Sequence, residues 1–203
     1  MTVNPRLVVK CNKEGFLNFW QKLYYGAGVA FELGRVFILL VVALLIVHYF
    51  LATIFIISGP SMESNFHDKE IVLVSRFNLF TNKFTRGEPM VLKFPGDPKH
   101  KKYIKRLIGL PGDTVEIRNS QIWINGKQLP ESYLDRGMPT TPAQNEQTLW
   151  TLGKNQYFLV GDNRLNSADS RDWGTAQRAD MLGPVKMILF PPSRFQFVAV
   201  PPY

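Results

Sequence analysis

Cysteine is almost absent. Cys11 is alone among 203 residues, so no intramolecular disulfide can form and the fold must be held by its core. No thiol-activating neighbourhood surrounds it, which leaves an inert thiol. Histidine is nearly as scarce, with three residues, His48, His67 and His100. None has the context of a catalytic triad, in which a third group orients the imidazole against a nucleophile. His48 reads as a neutral, interface-tolerated residue in an apolar run, and His100 lies among Lys99, Lys101 and Lys102. Acidic residues are in deficit: 16 Asp and Glu against 24 Lys and Arg leave a net charge of +8. That balance suits an anionic membrane surface and nucleic acid equally, so the location of the charges has to decide. Beyond Ser58 there is no long helical period, and nowhere an internal repeat or a low-complexity block.

What is present begins with an uncharged run, residues 36–57, VFILLVVALLIVHYFLATIFII. About 20 apolar residues suffice to cross a bilayer as a helix. A cleaved secretory signal has a shorter apolar region and ends on small residues, whereas Ile56 and Ile57 end this one, so the run predicts an anchor. Arg6, Lys10, Lys13, Lys22 and Arg35 precede it against Glu14 and Glu32, while residues 58–75 carry Lys69 alone among Lys and Arg. The positive-inside rule then predicts a cytoplasmic segment 1–35, a transmembrane helix 36–57 and an extracytoplasmic domain 58–203. Phe16, Phe19, Trp20 and Leu23 recur at helical spacing and predict a short interfacial helix on the cytoplasmic face.

The exported part reads as mainly β. Short runs rich in Val, Ile, Phe and Tyr, cut by Gly and Pro, predict strands at 70–77, 90–94, 103–108, 114–118, 121–124, 157–160 and 185–190. Asn125-Gly126 is a two-residue hairpin signal, because a type I′ turn needs positive φ at both positions. Residues 131–147, with Pro139, Pro142 and Gly137, predict a surface excursion between strands.

Three segments hold candidate chemistry. In SGPSM, residues 58–62, Gly and Pro force a non-helical path that leaves Ser61 on an exposed bend, with backbone N–H groups free to hold an oxyanion; taken alone, this is also ordinary turn chemistry. A lysine can serve as the base of a serine if desolvation lowers its pKa. In YIKRLI, period-two alternation places Tyr103, Lys105 and Leu107 on one face and Ile104, Arg106 and Ile108 on the other. Two fates are open to Lys105 on that pattern: a buried amine, or a side chain that snorkels its charge to the surface. The third segment, GDNRLNSADSRDWG at 161–174, resembles a calcium loop at a glance. Counting from Asp162, however, puts Arg164 at the third position and Trp173 at the twelfth, where an EF-hand needs an oxygen ligand and Glu. Calcium is rejected, and a hydrogen-bonded loop lining a site, with Asp169 and Arg171 as an ion pair, is expected.

Taken in order after an apolar helix, SGPSM, YIKRLIGLPGD and GDNRLNSADSRDWG resemble the signature of bacterial type I signal peptidases, in their compact single-anchor form. The resemblance runs from about residue 50 to 190 and includes RGEPMVLKFP at 86–95. It implies that Ser61 is the nucleophile, Lys105 the general base, and Ser167 the residue that orients the lysine amine. Ser61 N–H and the Gly59 position would form the oxyanion hole, and Met62 would contact substrate. Asp169 and Arg171 match a structural ion pair, and Asp162, Asn163 and Arg164 set the conformation of their segment. Where the family pattern continues with Pro-Thr-Leu, this chain has Ser64, Asn65 and Phe66. The partners implied are exported preproteins carrying signal peptides, together with the lipid bilayer; nucleic acid, metal and organic cofactors are not. Rival expectations are a Ser-Lys peptidase with one dedicated substrate and an inactive membrane-tethered binding module.

Overall fold

The computed structural model describes residues 13–46, 51–81, 83–95, 101–142 and 147–203. Cys11, His48 and His100 lie outside these. The chain forms two compact units, 1–47 and 48–203.

The first unit contains one long helix, α1 (Lys13–Ile46). Its segment Ala27–Ile46, 20 residues, is long and apolar enough to cross a bilayer. The helix is continuous from Lys13, so the separate interfacial helix expected around residues 16–23 is part of it. The expected C-terminal boundary of the 36–57 helix is corrected: residues 52–57 leave it, and β1 (Ala52–Ile56) pairs antiparallel with β2 (Ile71–Ser75), Ala52 opposite Ser75 and Ile56 opposite Ile71. The cause lies in Thr53, Ile54 and Ile56, β-branched residues that fit a pleated surface as readily as an apolar helix. Ile57 is 1% exposed in the core of the second unit, which therefore begins before Ser58.

The second unit is mainly β and antiparallel. After β2 come α2 (Phe77–Thr81), β3 (Pro89–Lys93), β4 (Lys102–Gly109), β5 (Thr114–Arg118), β6 (Gln121–Ile124), β7 (Lys127–Gln128), β8 (Leu149–Thr151) and β9 (Gln156–Val160). These are followed by α3 (Ser170–Trp173), β10 (Ala176–Gln177), β11 (Met181–Phe190) and β12 (Gln196–Phe197). One sheet has the order β1-β2-β11-β3-β4-β9-β10, with β12 beside β11; the other is β7-β6-β5-β8. The hairpin between β6 and β7 turns on Asn125 at φ 50° and Gly126 at φ 78°, the left-handed pair a type I′ turn requires.

Three apolar clusters fill the unit. Val72, Val91, Ile104 and Val185 pack with Met62 and Phe66 from the loop after β1. Met90, Leu92, Leu107 and Leu159 form a second cluster, with Tyr103 and Trp173 against it. Ile108, Phe158 and Val160 join the smaller sheet in a third. Strand β4 supplies all three, Ile104 to the first, Leu107 to the second and Ile108 to the third. Residues 104–109 are buried without a break, which makes β4 the strand on which a polar side chain is most strongly desolvated.

Candidate active site

The loop after β1 holds Ser61 in a tight turn. Glu63 N–H donates to Pro60 O (3.1 Å), Asn65 N–H to Met62 O (3.0 Å) and Phe66 N–H to Met62 O (2.9 Å). Met62 and Phe66 plug into the core at 0% and 2% exposure and Ile57 at 1%, so the loop is anchored on both sides while Ser61 stays half-buried. Met62, expected from the resemblance to contact substrate, has its side chain packed in the core. The expectation for Gly59 is corrected. At φ 92° its N–H is turned onto Asp68 Oδ1 (2.9 Å) and is not a free oxyanion donor. The Ser61 N–H, by contrast, donates to nothing among the described residues.

Lys105 stands on β4 opposite Met90 of β3. It is 1% exposed, and its Nζ lies 5.5 Å from the centre of the Tyr103 ring. Of the two fates left open by the sequence, the structure shows burial. Desolvation lowers the amine from 10.5 to about 8, against the pull of the Asp169, Asp162 and Asp172 carboxylates and aided by the Arg171 cation. Lys105 takes part in no ion pair among the described residues, so the more distant carboxylates return only part of the solvation energy its charge gives up.

The end of β9 connects the serine turn with the lysine strand. Val160 pairs with Arg106, the neighbour of Lys105. The next residue, Gly161, is so tightly enclosed that a Cβ there would collide with the Ser167 hydroxyl and lie 2.5 Å from Ser61 O. Only glycine fits such an approach. Gly161 N–H donates to Asp169 Oδ2 (2.9 Å) and Gly161 O accepts from Arg164 Nε (3.1 Å). Two further bonds fasten the turn: Asn163 N–H to Ser61 O (3.0 Å) and Asn163 Nδ2 to Pro60 O (3.2 Å). Ser167 Oγ is buried here without a hydrogen-bond partner; the bond to the lysine amine implied by the resemblance is not made in this structure.

Around this junction lie three buried charge clusters. Arg171 grips Asp169 with both forks, Nε to Oδ1 and Nη2 to Oδ2, each 2.8 Å, and Asp169 also caps α3. Arg106 grips Asp162 in the same way at 2.7 and 2.5 Å, with its guanidinium 4.0 Å from the centre of the Tyr133 ring. Arg164 is held by Glu131 and Thr140. Sequence reasoning missed Arg106, Glu131, Tyr133 and Thr140. The last three fall in the supposed surface excursion at 131–147. His67 is half-buried, and its imidazole makes no hydrogen bond among the described residues. Nor does any group of three or more His, Cys, Asp or Glu among them have the arrangement to hold a metal ion.

The family model described as signal peptidase, peptidase S26, matches residues 30–190. The chain belongs to the S26 signal peptidase family. It is 33% identical over 168 residues to signal peptidase I P of Bacillus subtilis subsp. natto, covering 80% of this chain and 90% of that one. With signal peptidase I S of Bacillus subtilis it shares 35% over 167 residues, 79% and 89% of the two chains. A crystal structure of a signal peptidase I from Enterococcus faecalis is similar at 33% identity and a TM-score of 0.43, over 50% of this chain and 96% of that one. Membership makes this chain a serine endopeptidase of the signal peptidase I type and agrees with its mainly β fold.

Proposed function

We propose that the chain is a membrane-anchored endopeptidase that removes N-terminal signal peptides from exported preproteins by a Ser61–Lys105 dyad. The observation that carries this reading is Lys105. A lysine at 1% exposure, with its pKa lowered to about 8, stands on the strand next to the segment that fastens the Ser61 turn. Such an amine loses its proton near neutrality, as a general base must.

In the proposed reaction Ser61 Oγ attacks the scissile carbonyl carbon while Lys105 Nζ takes the hydroxyl proton. The carbonyl oxygen becomes an oxyanion that the unpaired Ser61 N–H is placed to receive. Lys105 then gives its proton to the departing amine, the acyl group rests on Ser61, and water activated by the same amine releases it. Ser167 supplies the hydrogen bond that orients the amine. Its buried hydroxyl lacks a partner, which costs about 1–3 kcal/mol, and the lysine amine is the acceptor this role provides. Asp169–Arg171 and Asp162–Arg106 keep the two segments rigid, and Arg164 ties the third. Substrate binds as an extended strand with small residues before the cut. Purified chain in detergent should cut a preprotein once, directly behind an Ala-x-Ala sequence, with the new N-terminus read by mass spectrometry. No cut, or cuts scattered through the mature part, would overturn the assignment.

Helix α1 supplies the anchor through Ala27–Ile46. The charged residues of that segment, Glu32 and Arg35, lie 3.8 Å apart on one face and so offset each other near its cytoplasmic end. With Lys and Arg concentrated before it, the β unit lies outside the cytoplasm. Protease added to spheroplasts should therefore digest residues 52–203 and spare the N-terminal segment. A β unit that resists until the membrane is dissolved would reverse the orientation.

A further inference from the structure

The sequence departs from the family pattern at Ser64, Asn65 and Phe66, directly after the serine turn, and the structure gives the middle residue a task. Asn65 Nδ2 donates to Tyr133 O (2.8 Å) and to Asp162 Oδ2 (2.9 Å), so both hydrogens of one amide are used. Its backbone oxygen accepts from Arg194 Nη2 (2.8 Å), and its backbone N–H closes the turn on Met62 O (3.0 Å). One residue thus joins four separate stretches of chain.

We propose that Asn65 is a positioning residue that fastens the Ser61 turn to the base strand through Asp162 and Arg106. Asp162 is held by both forks of Arg106, and Arg106 follows Lys105 directly on β4. The connection from Asn65 through Asp162 and Arg106 therefore runs from the nucleophile turn to the strand of the base, through groups that are all buried or half-buried. A carboxylate already gripped by a guanidinium is a rigid acceptor, and an amide donating to it fixes the approach of the turn in distance and angle. A threonine, as in the family pattern, has one donor and can serve Asp162 or Tyr133 O but not both. Removing the amide leaves the two Asn163 bonds and the Met62 and Phe66 plugs in place. The fold is expected to survive, and what is lost is the setting of Ser61 against Lys105.

This inference rests on Ser61 and Lys105 being the reacting pair, and its test separates the two claims. Steady-state kcat and KM on a preprotein in detergent are measured for the full chain and for Asn65→Thr, Asn65→Leu, Asn65→Asp and Ser61→Ala, with a thermal unfolding curve for each. Misplacement of a reacting group by a fraction of an ångström is expected to lower kcat about thirtyfold in Asn65→Leu and about fivefold in Asn65→Thr. Asn65→Asp sets a second carboxylate against Asp162 and should lose about a hundredfold. KM should stay within about twofold throughout, because Asn65 acts on the turn rather than on bound substrate. A folded Asn65→Leu with wild-type kcat, or losses confined to KM, would overturn the proposal. Should the leucine and aspartate variants fail to fold, Asn65→Thr decides by the same two criteria. Cleavage retained in Ser61→Ala would sink the nucleophile assignment itself, whereas a dead Ser61→Ala beside fully active Asn65 variants would sink this inference alone.

Discussion

Lys105→Met is expected to abolish cleavage and at the same time to make the protein more stable. Methionine matches the lysine stem in volume and shape, so the buried position beside Tyr103 stays filled. The amine is gone, and with it the proposed acceptor for the Ser61 proton. Members of a nucleophile and base pair act as a unit, so kcat/KM should fall at least about 10⁴-fold, Ser61→Ala should match it, and the double variant should be little worse. Stability moves the other way. An amine whose pKa falls from 10.5 to about 8 on folding burdens the folded state at pH 7 by roughly 3 kcal/mol while it is charged. Replacing it with an apolar isostere removes that burden, which should appear as a higher urea midpoint. Lys105→Arg should rescue nothing, because guanidinium does not release its proton in proteins. Lys102→Ala, at the exposed start of β4, should leave the rate within about twofold, as surface changes away from a site do. Wild-type cleavage by Lys105→Met would remove Lys105 from the mechanism. A loss of both activity and stability would instead mark it as a buried structural cation.

How far the sequence reaches can be traced residue by residue. Strands β5 and β6 coincide with the stretches 114–118 and 121–124, because alternation and the Asn-Gly turn both act over neighbouring residues and need no tertiary partner. Burial of Lys105 was one of two fates, since alternation put it on a face with Tyr103 and Leu107 and left its depth open; the neighbouring strands β3 and β9 settle the depth. Strand β1 was hidden. Residues 52–56 prolong an apolar helix-like run, and only pairing with β2 distinguishes them from a membrane segment. The role of Arg106 is not legible in the sequence, because its partner Asp162 is 56 positions away. Glu131, Tyr133 and Thr140 read as surface in the sequence because Pro and Gly around them signal a loop. That loop folds back as a clamp on Arg164, with Thr140 at 1% exposure. The buried Met62 side chain and the bond from Gly59 N–H to Asp68 are not legible from adjacency to Ser61, which says nothing about the direction of a side chain or an N–H.

A pH–rate profile tests the state of Lys105 directly. The amine can accept a proton only when neutral, so kcat/KM should rise about tenfold per pH unit on the acid side and level off at the pKa of the free enzyme. Desolvation, the leading cause of the shift, places that bend near pH 8, well below the value of about 10.4 for a solvated lysine. Three carboxylates, Asp169, Asp162 and Asp172, hold the value up, and Arg171 pushes it down. Asp172 is the exposed one of the three, and asparagine there can still accept from Asp169 N–H, as the carboxylate now does at 3.0 Å. Asp172→Asn should therefore shift the bend to lower pH with the fold intact. Substrate excludes more water from the amine, so the bend in kcat, which reports the bound complex, should lie below that in kcat/KM. Stability obeys the same sign. The unfolded chain binds the Lys105 proton more tightly than the folded one, so the contribution of this group to stability is poorest below about pH 8 and improves between there and about 10.4. Ser167→Ala should lower the plateau and leave the bend near its wild-type place, since it removes orientation rather than solvation. A bend above pH 10 would make Lys105 an ordinary lysine. One near 6.5, the value of a free imidazole, would move the base to a histidine, with His67 the first to replace.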